Sequence, residues 1–185
     1  MSKKVFVETT NQTRMAYFGW QDKSTALWGL KEGYKNSADS LVDIALQKGD
    51  NETLDTYIFP VLFLYRHSLE ISLKIIYHRL YGRVLKGHEL DILWTKVFAA
   101  LVQEFNVGDF LAKDINFQEL VDIFTELQTF DRKSDVWRYL ISKNDTLFFA
   151  DDQHIDYINL KSVLGDVFEK LDYLENFVSE SLKGE

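Results

Sequence analysis

No cysteine occurs in this 185-residue chain. Its absence removes disulfides, thiolate zinc sites and cysteine nucleophiles together. Proline is nearly as scarce, with Pro60 alone, and nine glycines are thinly spread. Such sparse punctuation suits long helices better than a turn-rich β-sandwich. No uncharged apolar stretch reaches the roughly 18 residues that a membrane span needs. The opening MSKKVFVETTNQTRM lacks the apolar run of a secretory signal, so the expectation is a cytoplasmic protein with no membrane segment. Phosphate-loop, dinucleotide-loop and nucleophile-elbow patterns are missing as well, which excludes those routes to nucleotide binding and hydrolysis at motif level.

What is present describes a folded domain. Apolar residues make up 46% and charged residues 27%, the balance of a globular chain and not of a disordered one. The length suits one sizeable domain. Net charge is −8, and a uniformly acidic surface repels a phosphate backbone, so broad non-specific nucleic-acid binding is disfavoured. Residues 74–86 go against that balance, with Lys74, Arg79, Arg83, Lys86 and no acid. Such a run is either the solvated basic end of a helix or a local basic cleft.

Periodicity gives the elements. Residues 1–34 read as an aromatic-rich arm that packs on the domain, with a short helix near 24–34. Asn36 and Asp39 sit at capping-box spacing and predict a helix start there, ending at Gly49-Asp50. A second helix is predicted over 51–81, kinked or begun at Pro60 and stopped by Gly82. A third opens at GHELDILW, with Glu89 and Asp91 suited to a helix N-terminus. A fourth starts at Asn116 and buries the stripe Phe117, Leu120, Val121, Phe124, Leu127 and Gln128. The last spans about 157–182 on the seam Leu160, Val163, Leu164, Val167, Leu171, Leu174 and Val178. Two β-leaning runs around KND predict a hairpin with strands at 138–142 and 146–150. The fold expected is all-α: a bundle of four or five helices over 35–185 with a small β-hairpin insertion.

The chemistry concentrates at residues 65–74, YRHSLEISLK, inside an otherwise apolar helix. Arg66, Glu70 and Lys74 stand at i, i+4 and i+8, a ladder along one face with His67 beside it. On so apolar a helix the ladder is partly buried and must be paired. It is either a structural ion-pair network or the wall of a polar cleft in which Arg66 and Lys74 hold an anion and Glu70 orients them. His67 and His78 lie about 16 Å apart along the helix, too far to share a metal, and no metal-binding spacing occurs elsewhere. In DRKSDVWRYL, Arg138 sits between Trp137 and Tyr139. It either stacks on a partner or belongs to a packed loop anchored by an Asp–Arg pair.

HSLEISLK, followed after a gap by GHEL, resembles the HEPN domains (higher eukaryotes and prokaryotes nucleotide-binding). Glu70 and Lys74 fit the family's charged helix, and His88 with Leu90 fits the start of its next helix; His67 stands where glutamine is common and Glu89 where aspartate is usual. The wider pattern FPVLFLYRHSLEISLK…GHELDILW…DRKSDVWRYL looks like a HEPN-related subgroup of bacterial and prophage proteins. The matching segments cover about a third of the chain. The resemblance implies an up-and-down bundle, often a homodimer, that binds nucleotide or RNA and uses no cofactor. Many members are metal-independent endoribonucleases of toxin–antitoxin or phage-defence systems, partnered by an antitoxin or a nucleotidyltransferase. Their signature, Arg followed four to six residues later by His, is met by Arg83 and His88 in RVLKGH. In the family it usually precedes the last core helix; here it joins the second and third. Arg66, His67, Glu70, Lys74 and Arg138 are then the ligand-binding candidates. The alternative is a non-catalytic helical interaction module whose charge ladder is structural.

Overall fold

The computed structural model describes residues 5, 10–19, 21–106 and 116–183. Among them are six α-helices: α1 (Lys23–Lys48), α2 (Asn51–Tyr81), α3 (Leu90–Glu104), α4 (Phe117–Phe130), α5 (Val136–Tyr139) and α6 (Tyr157–Ser181). The described residues contain no strand, and none of their helices is long and apolar enough to cross a membrane.

Local chemistry explains most boundaries. Side-chain carboxylates of Asp22, Asp50 and Asp156 accept from the backbone N–H of Thr25, Thr53 and Asn159 at 2.7–2.8 Å, satisfying donors that the first turn leaves open. Asn116 does the same for Glu119, as its spacing predicts. Gly49 (φ 62°) and Gly82 (φ 65°) end α1 and α2 in the left-handed conformation, and their N–H groups close on the Ala45 and His78 carbonyls. Pro60 lies inside an unbroken α2, one turn of which lacks the N–H that proline cannot supply.

Two expectations are corrected. The first helix begins at Lys23, not at Asn36, and runs through residue 34 without a joint. Asp22 provides the cap, and spacing of three residues also places Asn36 and Asp39 on one face of a continuing helix. Asp39 is used tertiarily there, accepting from Lys35 Nζ (2.8 Å) and Tyr65 Oη (2.5 Å). The hairpin is not formed. Val136–Tyr139 is helical, and beyond it only a single antiparallel bridge joins Ile141 to Leu147. Asp131 explains the difference: its Oδ1 accepts from the N–H of Asp135 (2.9 Å) and Val136 (3.2 Å), which starts a helical turn and takes Arg138 and Tyr139 out of extended backbone. Ile141 and Leu147 are exposed, so two short strands would have had no core to lie on.

Helix α2 is the centre. The two-residue connection at 49–50 sets α1 against it as a neighbour, and α6, α3 and α5 also pack on it. Val61, Tyr65, Leu69, Leu73 and Ile76 of α2 are buried against Val42 and Ala45 of α1 and Val167, Phe168, Leu171 and Leu174 of α6. Trp94 of α3 stacks on Phe117 and touches Phe124 of α4 (centroids 5.9 and 5.7 Å), joining that pair of helices to the same core. Each large side chain so buried contributes about 1.5–3 kcal/mol relative to exposure. The packing leaves one face of α2 to carry charge.

Candidate functional site

That face meets the α2–α3 loop and the end of α4. Arg66 is 1% exposed. Its Nη2 donates to the His88 carbonyl (2.7 Å), its Nε to the Asp131 carbonyl (3.0 Å) and its Nη1 to Glu70 Oε2 (3.4 Å). The Asp131 carboxylate adds an ion pair, Oδ2 lying 3.5 Å from Nε. A guanidinium with its bonds turned inward in this way holds chain segments together and leaves little for a bound anion.

Glu70 is equally buried and acts as the hub. Its Oε1 accepts from Lys74 Nζ (2.7 Å) and meets His88 Nδ1 (3.0 Å). Burial pushes its carboxyl upward, but the Lys74 bond and charge, with His88 and His67 nearby, outweigh burial and hold it below the ordinary glutamate range. An ionised Glu70 only accepts, so His88 Nδ1 carries the hydrogen and Nε2 is left at the other edge of the ring. The His88 side chain is 59% exposed while its anchor is 2% exposed. The result is a carboxylate-oriented imidazole that faces solvent.

The other candidates fall elsewhere. His67 turns toward α1, stacked on Phe63 (5.6 Å, 9°) and edge-on to Tyr34 (4.9 Å), with Nδ1 buried and unbonded. Burial, helped by the Lys74, Arg66 and His88 charges and opposed by Glu70, holds its pKa below the usual imidazole value. Arg138 donates to the Ser134 carbonyl (2.6 Å) and covers the rings of Phe63 and Tyr139. The loop is thus packed and does hold an Asp–Arg pair, but Asp131 chooses Arg66. Arg83 bonds Tyr77 Oη (3.2 Å) and lies over Tyr77 and Tyr81, whereas His88, five residues on, goes to Glu70. The basic run 74–86 is largely taken up locally: Lys74 by Glu70, Arg79 by Glu175 (3.2 Å) and Arg83 by rings.

Three parts of the arrangement were not read from the sequence. Asp131 is both a helix cap and a counter-ion. Gln128 accepts from Leu90 N–H (2.9 Å) and donates to the Arg132 carbonyl (2.8 Å), clamping the start of α3 to the end of α4. Its signal was a polar residue in the otherwise apolar α4 stripe. Lys31, 4% exposed, pairs with Glu32, Asp172 and Glu175 in a second cluster across α1 and α6. Among the described residues no three His, Asp or Glu side chains group as a metal site would require.

The segments 65–74, 87–90 and 131–139, far apart in sequence, therefore converge on one constellation. No protein-family model matches the chain, and comparison with curated proteins and with solved structures finds no match.

Proposed function

We propose that this chain is a HEPN-like protein that interacts with nucleotide or RNA, with His88 as the side chain that meets the ligand. The observation that carries the reading is the convergence just described. The segments behind the resemblance meet around Glu70, and of the three side chains bonded to Glu70 the His88 imidazole is the one left largely in solvent. Arg66, Glu70 and Asp131 serve as scaffold, locking the loop that presents His88. In the endoribonuclease form of the proposal, His88 Nε2 takes the proton of a ribose 2′-hydroxyl as that oxygen attacks phosphorus; the P–O5′ bond breaks, leaving a 2′,3′-cyclic phosphate and a 5′-oxygen that is protonated from water. Arg83, exposed on its tyrosine pair, stabilises the charge that develops. No metal is needed for this chemistry. A homodimer, and an antitoxin or nucleotidyltransferase partner, belong to the same proposal.

The test is labelled single-stranded RNA with purified protein at low salt in the presence of a chelator. Cleavage or retention is expected, abolished in His88→Ala with an unchanged thermal midpoint. Neither cleavage nor retention by the wild-type chain overturns the reading.

The second reading is a non-catalytic interaction module. It is favoured by the saturation of Arg66, whose bonds all stay within the fold. Under it, His88→Ala changes neither RNA handling nor stability, while Glu70→Ala remains costly.

A further inference from the structure

A concavity lies apart from the His88 edge, between the end of α4 and the turn at 142–146. Its volume is about 640 Å³, within the size range of small-molecule sites. Arg132, Lys133 and Lys143 line it, together with the rings of Phe130, Phe148 and Phe149. Asp135 is the one carboxylate residue of the lining, so three cations face one acid in a chain of net charge −8.

These cations differ from those of the ladder and of the Lys31 cluster. Among the described residues none of the three makes an ion pair, whereas Lys31, Arg66 and Lys74 are each paired. Cations that line a concavity raise its local potential, which favours a bound anion. The aromatic wall is held in place. Phe149 stacks on Trp137 (5.4 Å, 29°) and lies 6.3 Å from Phe130, and the Phe148 N–H donates to the Leu140 carbonyl (3.1 Å). Lys143 is carried on a tight turn that the Ser142 hydroxyl fixes through Thr146 Oγ1 (2.7 Å) and the Asn144 N–H (3.2 Å). A cationic rim beside immobilised rings matches a ligand with two unlike halves. An anionic head meets the cations, and a flat ring lies on phenylalanine.

We propose that this cavity binds a small phosphate monoester that carries an aromatic ring. The inference is independent of the His88 reading. Phenyl phosphate and adenosine monophosphate present the same chemistry from two sources, and titration calorimetry of the full chain with each identifies the source. Expected is binding of one or both at least tenfold tighter than inorganic phosphate or adenosine alone, weakening as salt rises. Lys133→Glu with Lys143→Glu should lower that affinity at least tenfold at an unchanged melting temperature. Phe148→Ala should weaken the ester and leave inorganic phosphate unaffected, and His88→Ala should leave binding intact. The proposal is overturned if neither ester binds, if inorganic phosphate binds as tightly as the esters, or if the double charge reversal has no effect.

Discussion

Arg66 and Lys143 carry the same charge under opposite conditions. Around Arg66 two backbone carbonyls and two carboxylates lie within 3.5 Å, and water is excluded. Around Lys143 there is a turn, a ring-lined hollow and no carboxylate close enough to pair. Removing a cation from water costs several kcal/mol and demands local compensation, so a buried arginine is committed to the fold that satisfies it. A cation left hydrated at the rim of a concavity has kept its capacity for a partner. Charge is shared by both cases; the state of pairing separates them.

The sharpest way to break the comparison is to remove the buried charges. Arg66→Ala leaves Glu70 and Asp131 without their guanidinium, and Glu70→Ala leaves Lys74 without its carboxylate and Arg66 with Asp131 alone. Each should cost about 3–5 kcal/mol in urea denaturation. A loss below 1 kcal/mol would mean that water reaches the network.

Acid should find the same region next. His67 is held below its usual 6.5, so it is neutral in the fold and the unfolded chain binds the proton first. Stability is therefore complete above about pH 6.5 and declines as pH falls below it. Glu70, held below 4.5, adds a second loss as pH falls under about 4.5 toward its folded value. Urea midpoints measured from pH 7 down to about pH 3 should show both steps, and His67→Phe should erase the upper one.

Smaller effects sharpen the contrast. Gln128→Leu removes the acceptor for Leu90 N–H and the donor to Arg132, and should cost about 1–2 kcal/mol. Lys133→Ala and Lys143→Ala should lie within about 0.5 kcal/mol of the parent by the same measurement. A larger loss there would show that these lysines, too, are committed to the fold.

How much of this was readable follows from how local each signal is. The bounds of α2 and α6 came through because apolar spacing, and for α2 the Gly82 stop, lie within a few residues of the ends they define. The start of α1 did not, because spacing of three residues fits both a cap and the face of a continuing helix. The 138–150 hairpin failed for a related reason. Its residues lean toward strand, but Asp131, earlier in the chain, captures two N–H groups and begins a helix. The ladder Arg66–Glu70–Lys74 was legible as i, i+4 geometry on one helix. Its closure by His88 and Asp131 is tertiary, and no spacing encodes which carbonyl an arginine will reach.

Arg66 also bears on the order in which the chain assembles. Its bonds span 22 residues to His88 and 65 to Asp131, whereas α1 and α2 meet across a two-residue connection. Closing the longer loops costs more entropy, so the helical hairpin is expected to form before the arginine finds its acceptors. Contacts completed after the rate-limiting step do little for the speed of folding and act mainly on unfolding. Mutating Arg66 should then steepen the loss of folded molecules over time and leave refolding nearly as fast. What the buried arginine sets is how long the finished fold lasts.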